Sequence, residues 1–481
     1  MKIHPIIKAV ITAVFLSGIA IDVSSQSQTD SLDAYIGMAL SRNPSVLQKY
    51  NEFQASVQKI TQAGTLQDPQ LSLGIFLSPM EIVNGKQVSD ISLMQMFPWF
   101  GTLKAAKDEM SQMAKANFEA FSDAKSQVEF DVKQTWYDLI KTRENIRITE
   151  ENVDILNTIE KLATVSYRSG YQSVPVASQA TISVTASDQG GSGAGSSGMQ
   201  NMGSSQGNNA RQEPMQPTSG MQPGMGAGYT GLADLYRIQI EISDLENNVA
   251  LMKDRQKTIT AKFNSLLDRD PSLTVCLPDS MTGEEPDVPL IQAVDSIVND
   301  NPMVVMLQYE EKSVEARKKM VTLMGYPMAG FGLNYSVIGK NEMSSSSMNG
   351  KDMIMPMVTV SLPVYRKKYN AMKQETGYLE EAVRQNYQAT INSLQTEYYS
   401  TSELYKDAMR RIDLYENQST LARRSFNLML KSFESGGASL SDLLQVRRQL
   451  LDFELKKVEA LTDYNSSVAR FRRLAGASET M

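Results

Sequence analysis

Ala39-Leu-Ser-Arg-Asn-Pro44-Ser-Val46 and Ser296-Ile-Val-Asn-Asp-Asn301-Pro302-Met-Val304 are two versions of one phrase, and the distance between them decides the fold. Asn43-Pro44 and Asn301-Pro302 stand 258 residues apart, and the same offset relates Pro69 to Pro327 and Gly74 to Gly332. It becomes 265 at Phe97-Pro98 against Leu362-Pro363, and 266 at Ser169-Gly170 against Ser435-Gly436. Self-similarity held over such a distance marks one unit copied twice. Past the glycines the offset falls to 208, at Leu232-Ala-Asp234 against Leu440-Ser-Asp442, which places an insert at residues 174–231 of the first copy. The chain then divides into 26–267 (first repeat with its insert), 268–287 (connection), 288–475 (second repeat) and 476–481 (tail).

Each copy opens with a helical stretch, 31–66 and 288–325, broken at the Asn-Pro pair because proline lacks a donor and restricts its predecessor. Strand signals follow at Gln70–Phe76 and Asp90–Phe97, and again at Met328–Tyr335 and Met353–Leu362. Val358, Val360 and Leu362 alternate with Thr359 and Ser361, the pattern of a strand with one apolar and one wet face. Two readings stand: a membrane hairpin, or a soluble hairpin packed on helices. Four strands cannot close a barrel, and open edges cannot exist in lipid, so a membrane reading requires several chains to share one.

From Gly101 to Ser169 and from Arg366 to Ser435 the chain is nearly free of proline and glycine, so each stretch predicts a helix of roughly 100 Å at about 1.5 Å per residue. Val132, Leu139, Ile146 and Val153 recur at the seven-residue spacing of a coiled-coil seam. Gly170 and Gly436 end these helices, and return helices Leu232–Leu267 and Leu440–Leu474 pair antiparallel with them. The expected fold class is an α+β membrane protein with a long antiparallel coiled-coil part, four strands per chain and an internal duplication.

Residues 1–25 read as an export signal, with Lys2 and Lys8 before the apolar run Ala9–Ala20. The signal lacks a lipoprotein cysteine, so no lipid anchor is expected. Its His4 is the chain's one histidine, and Cys276 its one cysteine. The exported chain therefore has no imidazole and no internal disulfide, which excludes histidine catalysis and zinc sites. A formal charge of -7 argues against nucleic acid. No apolar run reaches the roughly 18 residues of a spanning helix, so entry into a membrane would be as strands. No catalytic group and no cofactor are expected.

The Asn-Pro helix entry, paired strands, long helix, glycine turn and return helix beginning Ser439-Leu-Ser-Asp442-Leu-Leu-Gln445 together resemble the outer membrane efflux protein (TolC) family over nearly the whole exported chain. The resemblance implies a homotrimer with a twelve-stranded barrel in outer-membrane lipid and a helical tunnel in the periplasm. It also implies that the glycine turns lie at the tunnel's tip, where a periplasmic adaptor and an inner-membrane pump dock. The function expected is a passive exit duct, with copper or silver as first substrate and multidrug or type I secretion traffic as the alternative. A periplasmic coiled-coil scaffold without a pore is the reading from another class. Many metal- and drug-exporting relatives carry a lipidated N-terminal cysteine, which this chain lacks; anchoring, not the channel role, is thereby put in doubt.

Several residues carry candidate roles. Gly170, Gly436, Asp234 and Asp442 define the tip, and the two aspartates either line a gate or cap the return helices. Arg237, Arg447 and Arg448 either form cross-helix ion pairs or decorate a charged surface. Trp99, Phe100 and Tyr365 suit an interfacial aromatic girdle or a helix–strand junction. The insert holds twelve glycines and five methionines, Met199, Met202, Met215, Met221 and Met225. Their thioethers suit Cu(I) or Ag(I); the bland reading is a low-complexity linker. Met343, Met348, Met353, Met355 and Met357 also crowd the second hairpin, where a lining for organic solutes is the competing view.

Overall fold

The computed structural model describes residues 31–82, 84–168, 230–284, 300–343, 345, 347–435 and 437–476. The expected export signal, Gly170, Gly436 and the insert methionines Met199, Met202, Met215, Met221 and Met225 lie outside these described residues. In chain order the elements are α1 (Leu32–Arg42), α2 (Pro44–Gly64), β1 (Gln70–Ile82), β2 (Gly85–Phe97), α3 (Thr102–Arg168) and α4 (Thr230–Leu266). The order then repeats as α5 (Pro302–Leu323), β3 (Met328–Gly339), β4 (Met353–Ser361), α6 (Arg366–Glu434) and α7 (Leu440–Leu474). By internal contact the chain falls into two units, one of residues 1–150, 247–420 and 451–481, the other of 151–246 and 421–450.

In the first unit the Asn-Pro pairs do two jobs at once. Asn43 Oδ1 accepts from Ser45 N at 2.9 Å and starts α2, while its Nδ2 donates to Leu266 O, at the end of α4, at 2.9 Å. Asn301 does the same in the second copy, accepting from Met303 N and donating to Leu474 O at the end of α7, both at 2.9 Å. Proline fits the first helical turn because its missing N–H had no partner there, and the asparagine amide satisfies a carbonyl that a helix end leaves open.

Around the first junction Tyr35, Trp136 and Phe263 form an aromatic core, with Tyr35 edge-on to Phe263 at 5.2 Å and Trp136 against Phe263 at 5.7 Å. The second junction packs Tyr398 and Tyr405 on Phe471, with Val304 beneath. The connection between copies is tied down here. Glu284 takes the Tyr137 hydroxyl and, at 2.7 Å, Arg472, while Asn465 brackets it by accepting from Glu284 N and donating to Thr282 O, each at 2.9 Å.

The sheet also belongs to this unit. Its order is β1-β2-β3-β4, antiparallel throughout. The strands run longer than the sequence signals, because β1 and β2 keep pairing down to Ile82↔Gly85. The loop expected between them shrinks to a turn closed by Gly85, whose φ of +132° no side chain tolerates easily. Both prolines in the sheet, Pro79 and Pro356, sit on the edge strands β1 and β4, the places where a missing N–H breaks no ladder.

The second unit is a helical core drawn from four helices. Val153, Leu156, Ile159 and Ala163 of α3 meet Ile238 and Ile242 of α4, Phe426 of α6, and Leu440, Leu443, Leu444 and Leu450 of α7. No described helix is long and apolar enough to cross a membrane.

Candidate functional site

Pairing register sorts the sheet's side chains onto two faces, since directly opposed residues share a side. One row reads Leu71-Leu93-Leu333-Pro356 and the next Leu73-Ile91-Tyr335-Ile354. With Ile75, Phe331, Val358 and Val360 they make a largely aliphatic and aromatic face, which Gln95 and Ser89 of β2 share, and Leu71, Ile75 and Val358 are about 70 % exposed. The opposite face reads Ser72-Ser92-Asn334-Met355 and Gly74-Asp90-Ser336-Met353, polar but less accessible, with Ser336 buried. The greasy face is thus the more exposed one and the polar face the less accessible one. That inverts the arrangement of a sheet in water and matches one whose outer surface meets hydrocarbon.

At the helix-proximal end of the strands lies an open, mainly apolar cavity of about 620 Å³, walled by Phe97, Trp99, Phe100, Tyr326's neighbour Pro327, Phe331 and Val360. Trp99 stacks on Tyr326 at 5.1 Å, while Phe100 and Tyr365 are more than four-fifths exposed. Trp99 thus joins the helix–strand junction, and Phe100 and Tyr365 are free to meet an interface.

The helical unit carries the other candidates. Asp442 stands exposed in the first turn of α7, where Ser439 Oγ accepts from Ser441 N at 3.1 Å. Asp234 is half-buried and faces Arg237 at 3.6 Å; Arg237 also donates to Ser441 Oγ at 3.2 Å, so it links α4 to α7. The arginines are more than surface decoration. Arg448 reaches across to Glu241 with two nitrogens, and that paired carboxylate pushes its guanidinium pKa up. Arg447 is buried, donates to Asn152 of α3 and lies 5.3 Å over the Phe426 ring of α6. Residue spacing alone left both possibilities open; the deciding partners, Asn152 and Glu241, are 295 and 207 residues away. Cys276 is exposed and free.

An antiparallel four-stranded sheet with an exposed apolar face, both of whose edges are unpaired among the described residues, is joined to helices of 67 and 69 residues. Residues 332–477 match the sequence model of the outer membrane efflux protein family. The fold agrees along nearly the whole chain. The outer membrane protein VceC of Vibrio cholerae superposes with a TM-score of 0.68 at 12 % identity, over 92 % of this chain and 96 % of that one. The CmeC outer membrane channel of Campylobacter jejuni gives 0.68 at 12 % identity, over 93 % and 85 %. CusC, whose structures describe transmembrane channel formation, gives 0.68 at 12 % identity, over 93 % and 92 %. No curated protein matches the sequence. The family's sequence pattern is thus present in residues 332–477, and the chain as a whole shares the fold of these outer membrane proteins.

Proposed function

We propose that this chain is the protomer of a passive outer-membrane exit duct in a tripartite efflux system. The observation that carries the reading is the exposed apolar face of a sheet whose two edges are unpaired among the described residues. Backbone groups left open in hydrocarbon cost several kcal/mol each, on the order of a lost hydrogen bond in an apolar medium, so the sheet enters lipid only if copies pair edge to edge. Three copies would make the twelve-stranded barrel that the resemblance implies, with the helices on the periplasmic side. Asp234, Asp442, Gly170 and Gly436 would then lie where an adaptor and an inner-membrane pump deliver solute. Energy comes from that pump, because the duct supplies no chemistry.

The test is fractionation and complementation. The chain is expected in the outer-membrane fraction as an oligomer that resists mild heating in detergent, and cells lacking it should retain a lipophilic efflux dye. Recovery as a soluble periplasmic monomer would end the duct reading in favour of a scaffold.

For the substrate we infer Cu(I) or Ag(I), supported by the insert's soft donors Met199, Met202, Met215, Met221 and Met225. Deleting residues 174–231 should make cells retain metal while still clearing dye. Normal clearance of both would reduce the insert to a linker and return the substrate to the multidrug or secretion alternative.

A further inference from the structure

Methionine is not spread evenly over the sheet. Every methionine of β2 and β4, namely Met94, Met96, Met353, Met355 and Met357, falls on the polar face, while the apolar face of these strands carries Ile91, Leu93, Phe97, Ile354, Val358 and Val360, with Gln95 and Pro356 among them and no methionine. A residue used merely as a hydrophobe would have no reason to avoid the greasy side. Met94, Gly332 and Met357 are register partners in one row, and Met96, Gly330 and Thr359 in the next. The glycines leave the strand between the methionines bare, and the thioether chains fill that space. The Met96 sulfur lies 2.5 Å from where a Cβ on Gly330 would be, and the methyls of Met94 and Met357 lie 3.4 and 3.5 Å from the same point above Gly332.

We propose that Met94, Met96 and Met357, gathered over Gly330 and Gly332, form a soft-metal site for Cu(I) or Ag(I) on the polar face of the sheet. The proposal rests on the duct reading, and it uses residues separate from the insert. Neutral thioethers select soft monovalent ions over hard cations. Lacking a thiolate's charge, they also hold them loosely enough to release them, as a conduction pathway requires. An unbranched methionine on either side of a bare strand can swing its sulfur toward an ion arriving between them.

The test uses the full chain in detergent with Ag(I) as the probe. Cys276, exposed and free, and the five insert methionines would compete, so the background carries Cys276→Ser and leucine at those five positions. The background is expected to bind Ag(I), and adding Met94→Leu, Met96→Leu and Met357→Leu should weaken binding at least about tenfold, since leucine keeps the volume but removes the donors. Unchanged binding, or none in the background, overturns the site. Peroxide footprinting of the unaltered chain needs no variant: Ag(I) should slow oxidation of Met94, Met96 and Met357 but not of Met343, which is 94 % exposed. Equal rates with and without Ag(I) refute the proposal. Dye clearance separates the two readings: the triple variant should clear dye normally, whereas dye retained even with the unaltered chain would sink the duct itself.

Discussion

At the scale of single residues the Asn-Pro pair shows how far sequence reaches. That proline would break the helix followed from its missing N–H. That the asparagine would also close the return helix did not, because Leu266 is 223 residues away and no local rule names it. Asn43→Ala removes a cap and strands the Leu266 carbonyl together, so a loss of about 1–3 kcal/mol is expected in unfolding, with Asn43→Asp recovering the cap alone. An aspartate variant as stable as the original would show that the amide donation contributes nothing. Asp123 in α3 offers a pH-dependent case. Burial raises its carboxyl pKa, and the nearby Arg473 charge opposes the shift without cancelling it. A carboxyl raised on folding contributes stability that is complete below its unfolded value and disappears as pH rises through the folded one. Asp123→Asn should therefore melt higher than the original at neutral pH, with the gap closing as acid protonates the original; a gap independent of pH contradicts the burial account.

Among elements, periodicity was the most legible feature. Val132, Leu139, Ile146 and Val153, picked by their spacing of seven, are all buried. The long helices α3 and α6 end two residues before Gly170 and Gly436 in the sequence, with α6 running through Gly377. Strand lengths were less legible, since Ser78-Pro79 and Asn84-Gly85 read as loop while the register carries β1 and β2 past them. The methionine cluster was hidden for a similar reason: Met94 and Met357 share a face only once β3 is known to lie between them. Neighbouring residues give a clean test of the faces. Leu93→Arg places a charge on the apolar side and should cost about 2–4 kcal/mol in unfolding from lipid vesicles, whereas Ser92→Arg, on the polar side, should cost under about 1 kcal/mol. Equal penalties would mean that the apolar face does not contact hydrocarbon.

For the whole molecule the decisive property is parity. Four antiparallel strands leave β1 and β4 running in opposite directions, so β4 of one copy can pair with β1 of the next and preserve the alternation indefinitely. A closed ring of copies then has no edge, which is what lipid demands. The sequence reached this only through the counting argument that four strands are too few. With Cys276→Ser, the chain has no other cysteine, so single pairs introduced at polar-face edge positions report the join directly. Cysteines at Ser72 on β1 and at Thr359 or Ser361 on β4 should, in one register, approach within disulfide reach, about 4–7 Å between Cα atoms. Mild oxidation of the membrane-embedded protein should then link copies into closed trimers that no longer dissociate on heating in detergent. A ladder of open-ended multimers would indicate edge pairing without closure. Failure to cross-link in any of these registers, with the protein assembled and in the outer membrane, would mean that the sheets do not share a barrel and that the edges are covered in another way.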